Sequence, residues 1–254
     1  MKRHGNSGQV LIITSLIVVM LLLASVIYIG EVGKKVPRYV TESNAVFSAV
    51  RVGAVHTLIS ALANVTNGGS SSVMVEDLDK FRAALSDQSS SAIVYMDYVL
   101  INVSPYIDGI WLSWGTDGRG VSSAYASFYV NYSSSSAERY SEFDVNVTSE
   151  ITVDGSYVLV DGSTKQVSVA FTLLNEDTPA MASSFTIRYK TSGFSTPGDW
   201  ITPSSPSIRD FGNGTQLVSF SVSNQTQADP LLVSVYSRDS RGISVMANAT
   251  CVQV

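Results

Sequence analysis

The chain has a single cysteine, Cys251, which excludes an intrachain disulfide and a cysteine-based zinc site. It has two histidines, His4 and His56, too few for a multi-histidine metal centre. Charge is also scarce. Asp, Glu, Lys and Arg together make 15% of the residues, where about 25% is usual. The formal net charge of −5 argues against nucleic acid as a partner, because binding phosphates requires a basic surface. Hydroxyl side chains take the place of the missing charge: 41 Ser and 17 Thr among 254 residues. No Gly-x-Ser-x-Gly nucleophile elbow occurs, and His56 would be the only base available to a serine outside the leader. Gly115-Thr116-Asp117-Gly118-Arg119-Gly120 is glycine-rich, but no Gly-Lys-Ser/Thr follows it, so it reads as a turn between strands. No catalytic, metal or cofactor site is expected.

The longest uncharged stretch is Gln9 to Gly30, QVLIITSLIVVMLLLASVIYIG. At 1.5 Å per residue its 22 residues span about 33 Å, close to the hydrocarbon thickness of a bilayer. It is apolar on every helical face, as a membrane helix is. Basic residues flank it on both sides, Lys2 and Arg3 before and Lys34, Lys35 and Arg38 after. Three readings fit: a cleaved secretory signal, a plain uncleaved anchor, and a prepilin-type signal cut before the apolar segment. Gly8-Gln9 followed at once by Val10-Leu11-Ile12-Ile13 resembles the archaeal type IV prepilin pattern. The resemblance covers residues 1–30. It implies that a prepilin peptidase cuts between Gly8 and Gln9, and that residues 9–30 first hold the precursor in membrane lipid. It further implies that this helix then packs against copies of itself or other pilin-like subunits in a filament.

Seven N-glycosylation sequons follow: Asn64-Val65-Thr66, Asn102-Val103-Ser104, Asn131-Tyr132-Ser133, Asn146-Val147-Thr148, Asn213-Gly214-Thr215, Asn224-Gln225-Thr226 and Asn248-Ala249-Thr250. With 11 Asn in this composition, chance supplies about two to three. Attached glycans would substitute for surface charge and keep the chain soluble. Without Lys2 and Arg3, 14 basic residues face 21 acidic ones, so a basic tip lies inside and an acidic bulk outside the membrane. The expected location is therefore the cell membrane, single-pass, with the N-terminus cytoplasmic and the C-terminal part extracellular.

The expected architecture is mainly β with N-terminal α: a basic leader (1–8), a single transmembrane helix (9–30), a short helical stalk (31–91) and a β-rich ectodomain (92–254). The last is read as an immunoglobulin-like β-sandwich, with a division into 92–148 and 149–254 left open. Pro37 ends or kinks the membrane helix. Phe47, Val50, Ala54, Leu58 and Leu62 then recur at helical spacing, with Ser43 as N-cap and Asn67-Gly68-Gly69 as terminator. A shorter helix spans 75–85, and its Glu76, Asp77 and Asp79 suit a helix N-terminus better than a calcium loop. Beyond Ala92 the pattern alternates. Phe143, Val145, Val147, Ile151 and Val153 form one strand, read with a phase shift at Ser149-Glu150. Asp161-Gly162 is a hairpin turn. Trp111, Trp114, Tyr125, Phe128 and Tyr129 either make a sugar-binding platform or divide between core and surface. The functions that follow are a pilin-like subunit or minor pilin, or a non-polymerising membrane-anchored adhesion or cell-envelope protein that binds surface glycans; a surface hydrolase is the remoter alternative.

Overall fold

A computed structural model describes residues 38–87, 92–135, 137–191, 199–223 and 229–254. The leader and the apolar segment 9–30 lie outside them. The chain divides into two units, 1–48 and 49–254. The described part of the first is the beginning of helix α1 (Arg38–Thr66), and the second holds the rest of that helix and everything after it.

Among the described residues, the stretch Ser43–Thr66 of α1 is long and apolar enough to cross a membrane. Its apolarity has a local use as well. Val50, Ala54, Leu58, Ala61 and Leu62 recur at three or four residues and are all buried, which makes the stripe that a helix lays on a core. Ser43 sits inside this helix and not at its N-cap. The C-terminus is as expected. Gly68 takes φ +95°, Gly68 N donates to Val65 O (3.1 Å) and Gly69 N to Asn64 O (3.0 Å). This is a Schellman closure, and only glycine enters it without strain.

Helix α2 (Val73–Asp87) buries Met74 and Leu78. Its carboxylates are structural. Asp77 pairs with Lys80, and Asp79 accepts from Arg82 (2.9 Å) and from the Tyr98 hydroxyl (2.9 Å). The part of α1 from Ala49 onward and the whole of α2 belong to the same compact unit as the strands. Burial of their apolar stripes is what draws them in.

Twelve strands follow among the described residues: β1 (Ala92–Leu100), β2 (Ile110–Trp114), β3 (Arg119–Ser134), β4 (Ala137–Leu159), β5 (Thr164–Asn175), β6 (Thr178–Pro179), β7 (Ala182–Lys190), β8 (Ser207–Asp210), β9 (Thr215–Ser223), β10 (Leu232–Asp239), β11 (Ser244–Thr250) and β12 (Val252–Gln253). The larger sheet runs β1-β3-β4-β5-β9-β8, with β2 also on β3, β6 on β5 and β12 on β4. The smaller runs β11-β10-β7. All pairings are antiparallel except that of β12 with β4.

The 23-residue strand β4 is the spine. Its first part pairs with β3 and its last part with β5, and Ser149 to Thr152 are flanked by both. The strand runs without a break through the position between residues 148 and 149. Ser149 keeps the inward place in the alternation and is fully buried, so no phase shift occurs. One inner face thus has two covers. Over Ala124, Ala126, Phe128 and Val130 lies α1, with the Arg51 guanidinium 5.5 Å from the Phe143 ring centre. Over Ile151, Val153, Val169, Phe171 and Phe220 lies the smaller sheet, which contributes Val233, Val235, Val245 and Ala247 to one shared core.

The chain passes from the smaller to the larger sheet at Cys251, whose N donates to Leu231 O (2.8 Å). The thiol fills space that Gly155 leaves, since a Cβ on that glycine would sit 2.5 Å from Sγ. Burial pushes the Cys251 thiol up to about 12. The native protein is therefore expected to resist an aromatic disulfide reagent at neutral pH, and to react only as it unfolds. Rapid modification of the folded protein, followed by thiolate absorbance, would contradict this placement.

Candidate binding face

The outer face of the larger sheet follows from strand alternation. On β2, Trp111 and Ser113 point outward; on β3, Val121, Ser123, Tyr125, Ser127 and Tyr129; on β4, Glu142, Asp144, Asn146, Thr148 and Glu150. Register aligns them in rows: Trp111 beside Ser123 beside Thr148, and Ser113 beside Val121 beside Glu150. Tyr106, from the loop between β1 and β2, lies against this face. Its ring meets Trp111 edge-on at 6.0 Å and Tyr125 at 5.5 Å.

A hydroxyl network holds these rings. The Tyr106 hydroxyl and Ser123 Oγ are 2.9 Å apart, and Ser123 also lies 2.8 Å from Thr148 Oγ1. Asn146 Oδ1 accepts from Ser123 (2.9 Å), Thr148 (3.1 Å) and Tyr106 (3.4 Å). Farther along, Asp144 accepts from Ser127 (2.6 Å) and Tyr125 (3.3 Å). The Asp144 charge holds the Tyr125 phenol above its ordinary range.

The turn between β5 and β6 borders the face. Glu176 and Asp177 take φ of 44° and 60°, a left-handed pair that costs non-glycine residues about 1–3 kcal/mol each. Glu176 is held there by Thr148 N (2.8 Å) and Arg241 Nη1 (2.7 Å). Two adjacent depressions result, of about 330 and 370 Å³, which share Trp111 and Glu150.

The aromatics named from sequence therefore divide. Trp111, Tyr125 and Tyr129 are on the outer face. Trp114 turns to the shared core, donating from Nε1 to Ser122 Oγ (3.1 Å) and meeting Tyr236 edge-on. Phe128 is fully buried and stacks on Phe143 at 5.4 Å. His56 is exposed on α1. Among the described residues no group of His, Cys, Asp or Glu is arranged to hold a metal ion. Of the sequons, Asn64, Asn102, Asn146 and Asn213 are exposed, while Asn131 and Asn248 are half-buried with Oδ1 buried and unbonded. Gly8, Gln9 and Asn224 lie outside the described residues. Tyr106, Glu150 and Asp177 carried no sequence signal, because register and loop closure bring them to Trp111.

At the far end of the sheet, burial and the Asp79 carboxylate push Tyr98 up to about 12. The fold favours the neutral phenol, so this stabilisation is complete below pH ~10 and fades as pH rises through about 12. Tyr98→Phe is expected to flatten the loss of stability between those limits. An unchanged alkaline slope in urea titrations would contradict the Tyr98–Asp79 contact.

Compared with protein-family models and with curated proteins, the chain finds no match.

Proposed function

We propose that the protein is a membrane-anchored surface protein resembling an archaeal type IV pilin, as a filament subunit or minor pilin. The observation that carries this reading is the uncharged run Gln9–Gly30 placed directly after the short basic leader ending in Gly8. On this reading a prepilin peptidase releases the leader. The apolar helix first sits in lipid and then packs with other pilin-like subunits, and the β-rich part lies outside the cell. No catalytic step is assigned to it.

The second reading is a membrane-anchored adhesion or envelope protein that never polymerises. Supporting it are the strand orders β4-β5-β9-β8 and β7-β10-β11 in two sheets, which resemble the ABED and CFG orders of an immunoglobulin-like sandwich. The two readings separate on fractionation. A filament subunit is expected in the sheared surface fraction, and deletion of 9–30 removes it from there. Retention of the whole pool in the membrane favours the second reading.

Sequon use on the folded chain is expected at the exposed sites Asn64, Asn102 and Asn213. Asn131 donates its amide to Glu138 (3.2 Å), Asn248 is half-buried, and Asn146 is held by three hydroxyls within the sheet. Glycopeptide mass spectrometry of the native protein checks this. Modification at Asn131 and Asn248, with Asn64, Asn102 and Asn213 bare, would contradict it.

A further inference from the structure

We propose that the depression between Tyr106, Trp111, Glu150 and Asp177 is a binding site for neutral saccharides. It deepens the surface-protein reading by naming a partner class, and rests on that reading only for where the sugar is met.

The C–H face of a pyranose is apolar and packs on aromatic carbon, while its hydroxyls seek acceptors. Trp111 and Tyr106 supply the rings. Glu150 and Asp177 supply carboxylates that make no hydrogen bond or ion pair among the described residues. Hydrogen bonds to such charged acceptors are stronger than neutral ones. The size fits a small ligand, since about 330 Å³ lies at the low end of ligand pockets, at roughly 300–1,000 Å³.

The site is also built in advance. Edge-on contacts and the Ser123, Asn146 and Thr148 network fix the rings. The strained Glu176-Asp177 turn, clamped by Arg241, holds Asp177 at the rim. The rings therefore lose little side-chain freedom on binding.

Charge selects the sugar. This depression is lined by Glu150, Glu176 and Asp177, with no Lys or Arg among its lining residues. Anionic sugars are repelled. A cation is not the ligand the geometry favours, because the carboxylates do not converge as metal ligands. The neighbouring depression, with Ser113, Asp117 and Arg119, extends the groove past Trp111 for a longer saccharide.

The test is a titration of the full-length chain, produced without glycosylation and held in a detergent lacking a sugar headgroup. The probes are cellobiose, mannobiose and N,N′-diacetylchitobiose, followed by saturation-transfer NMR, with sialyllactose as the anionic probe. At least one neutral disaccharide is expected to bind saturably, and sialyllactose not to bind. Trp111→Ala is expected to weaken binding at least about tenfold. Glu150→Gln together with Asp177→Asn, which removes no hydrogen bond or ion pair of the described residues, is expected to weaken it about tenfold. Tyr95→Ala with Tyr140→Ala, at the other end of the same face, leaves it unchanged.

The proposal is overturned by no saturable binding of any of the three, by equal binding of sialyllactose, or by unaltered binding in the Glu150/Asp177 variant. Failure here leaves the anchor reading intact, and an uncleaved leader would leave the groove intact.

Discussion

Asp239→Ala is expected to lower the free energy of unfolding by about 3–5 kcal/mol. The Asp239 side chain has no exposed surface. Its Oδ1 accepts from Arg241 N (2.9 Å) and Ile243 N (2.9 Å), and Oδ2 from Arg241 Nε (2.8 Å). Arg241 then reaches Glu176 (2.7 Å) and donates to Thr148 O (2.8 Å). One carboxylate thus closes the turn between β10 and β11 and aims the arginine that ties it to β4. Truncation leaves two backbone N–H groups and the Nε of a largely buried guanidinium without their acceptor, which costs more than the lost pair itself gained. Asp239→Asn keeps an acceptor oxygen and should lose less. The measurement is the urea midpoint at unchanged m-value. A loss below about 1 kcal/mol would contradict the network.

Phe128→Ala is expected to cost a similar ~3–5 kcal/mol, by a different route. Phe128 is fully buried at the centre of β3's inner face and stacks on Phe143, over which Arg51 of α1 lies. Removing the ring opens a cavity that the paired strands β1, β3 and β4 cannot close. It also removes the floor on which the helix stripe rests. Trypsin should then cut α1 at Arg51 faster than in the parent, alongside the lower urea midpoint. Unchanged proteolysis with an unchanged midpoint would mean that α1 does not depend on this face.

How far these features were legible depends on their range. The end of α1 at Asn67-Gly68-Gly69 and the hairpin at Asp161-Gly162 are local, fixed by glycine's access to positive φ, and the sequence announces them. The alternation of Phe143 to Val153 is local too, and places β4's inner face correctly. Ser149 breaks the apolar pattern without breaking the pleat, because the inward place on a strand is set by parity and not by side-chain chemistry. The division of one inner face between a helix and a second sheet is not local. Neither is the candidate face, where Tyr106, Trp111, Glu150 and Asp177 come from a loop, two strands and a turn and meet only through register. Lys165 is the sharpest case. It occupies an inward position on β5, fully buried, with Nζ over the Tyr157 ring at 4.3 Å and donating to the Asp229 carbonyl. Its long stem packs as a hydrophobe would, while its head finds partners at the end of the core.

The central claim is that the chain is processed and anchored as a prepilin-like surface protein, and the mature N-terminus tests it most directly. Mass spectrometry of the protein isolated from its own cells is predicted to find Gln9 as the first residue, with the apolar segment retained. A chain that still begins with the leader of residues 1–8, or one cut after the apolar segment, would contradict it.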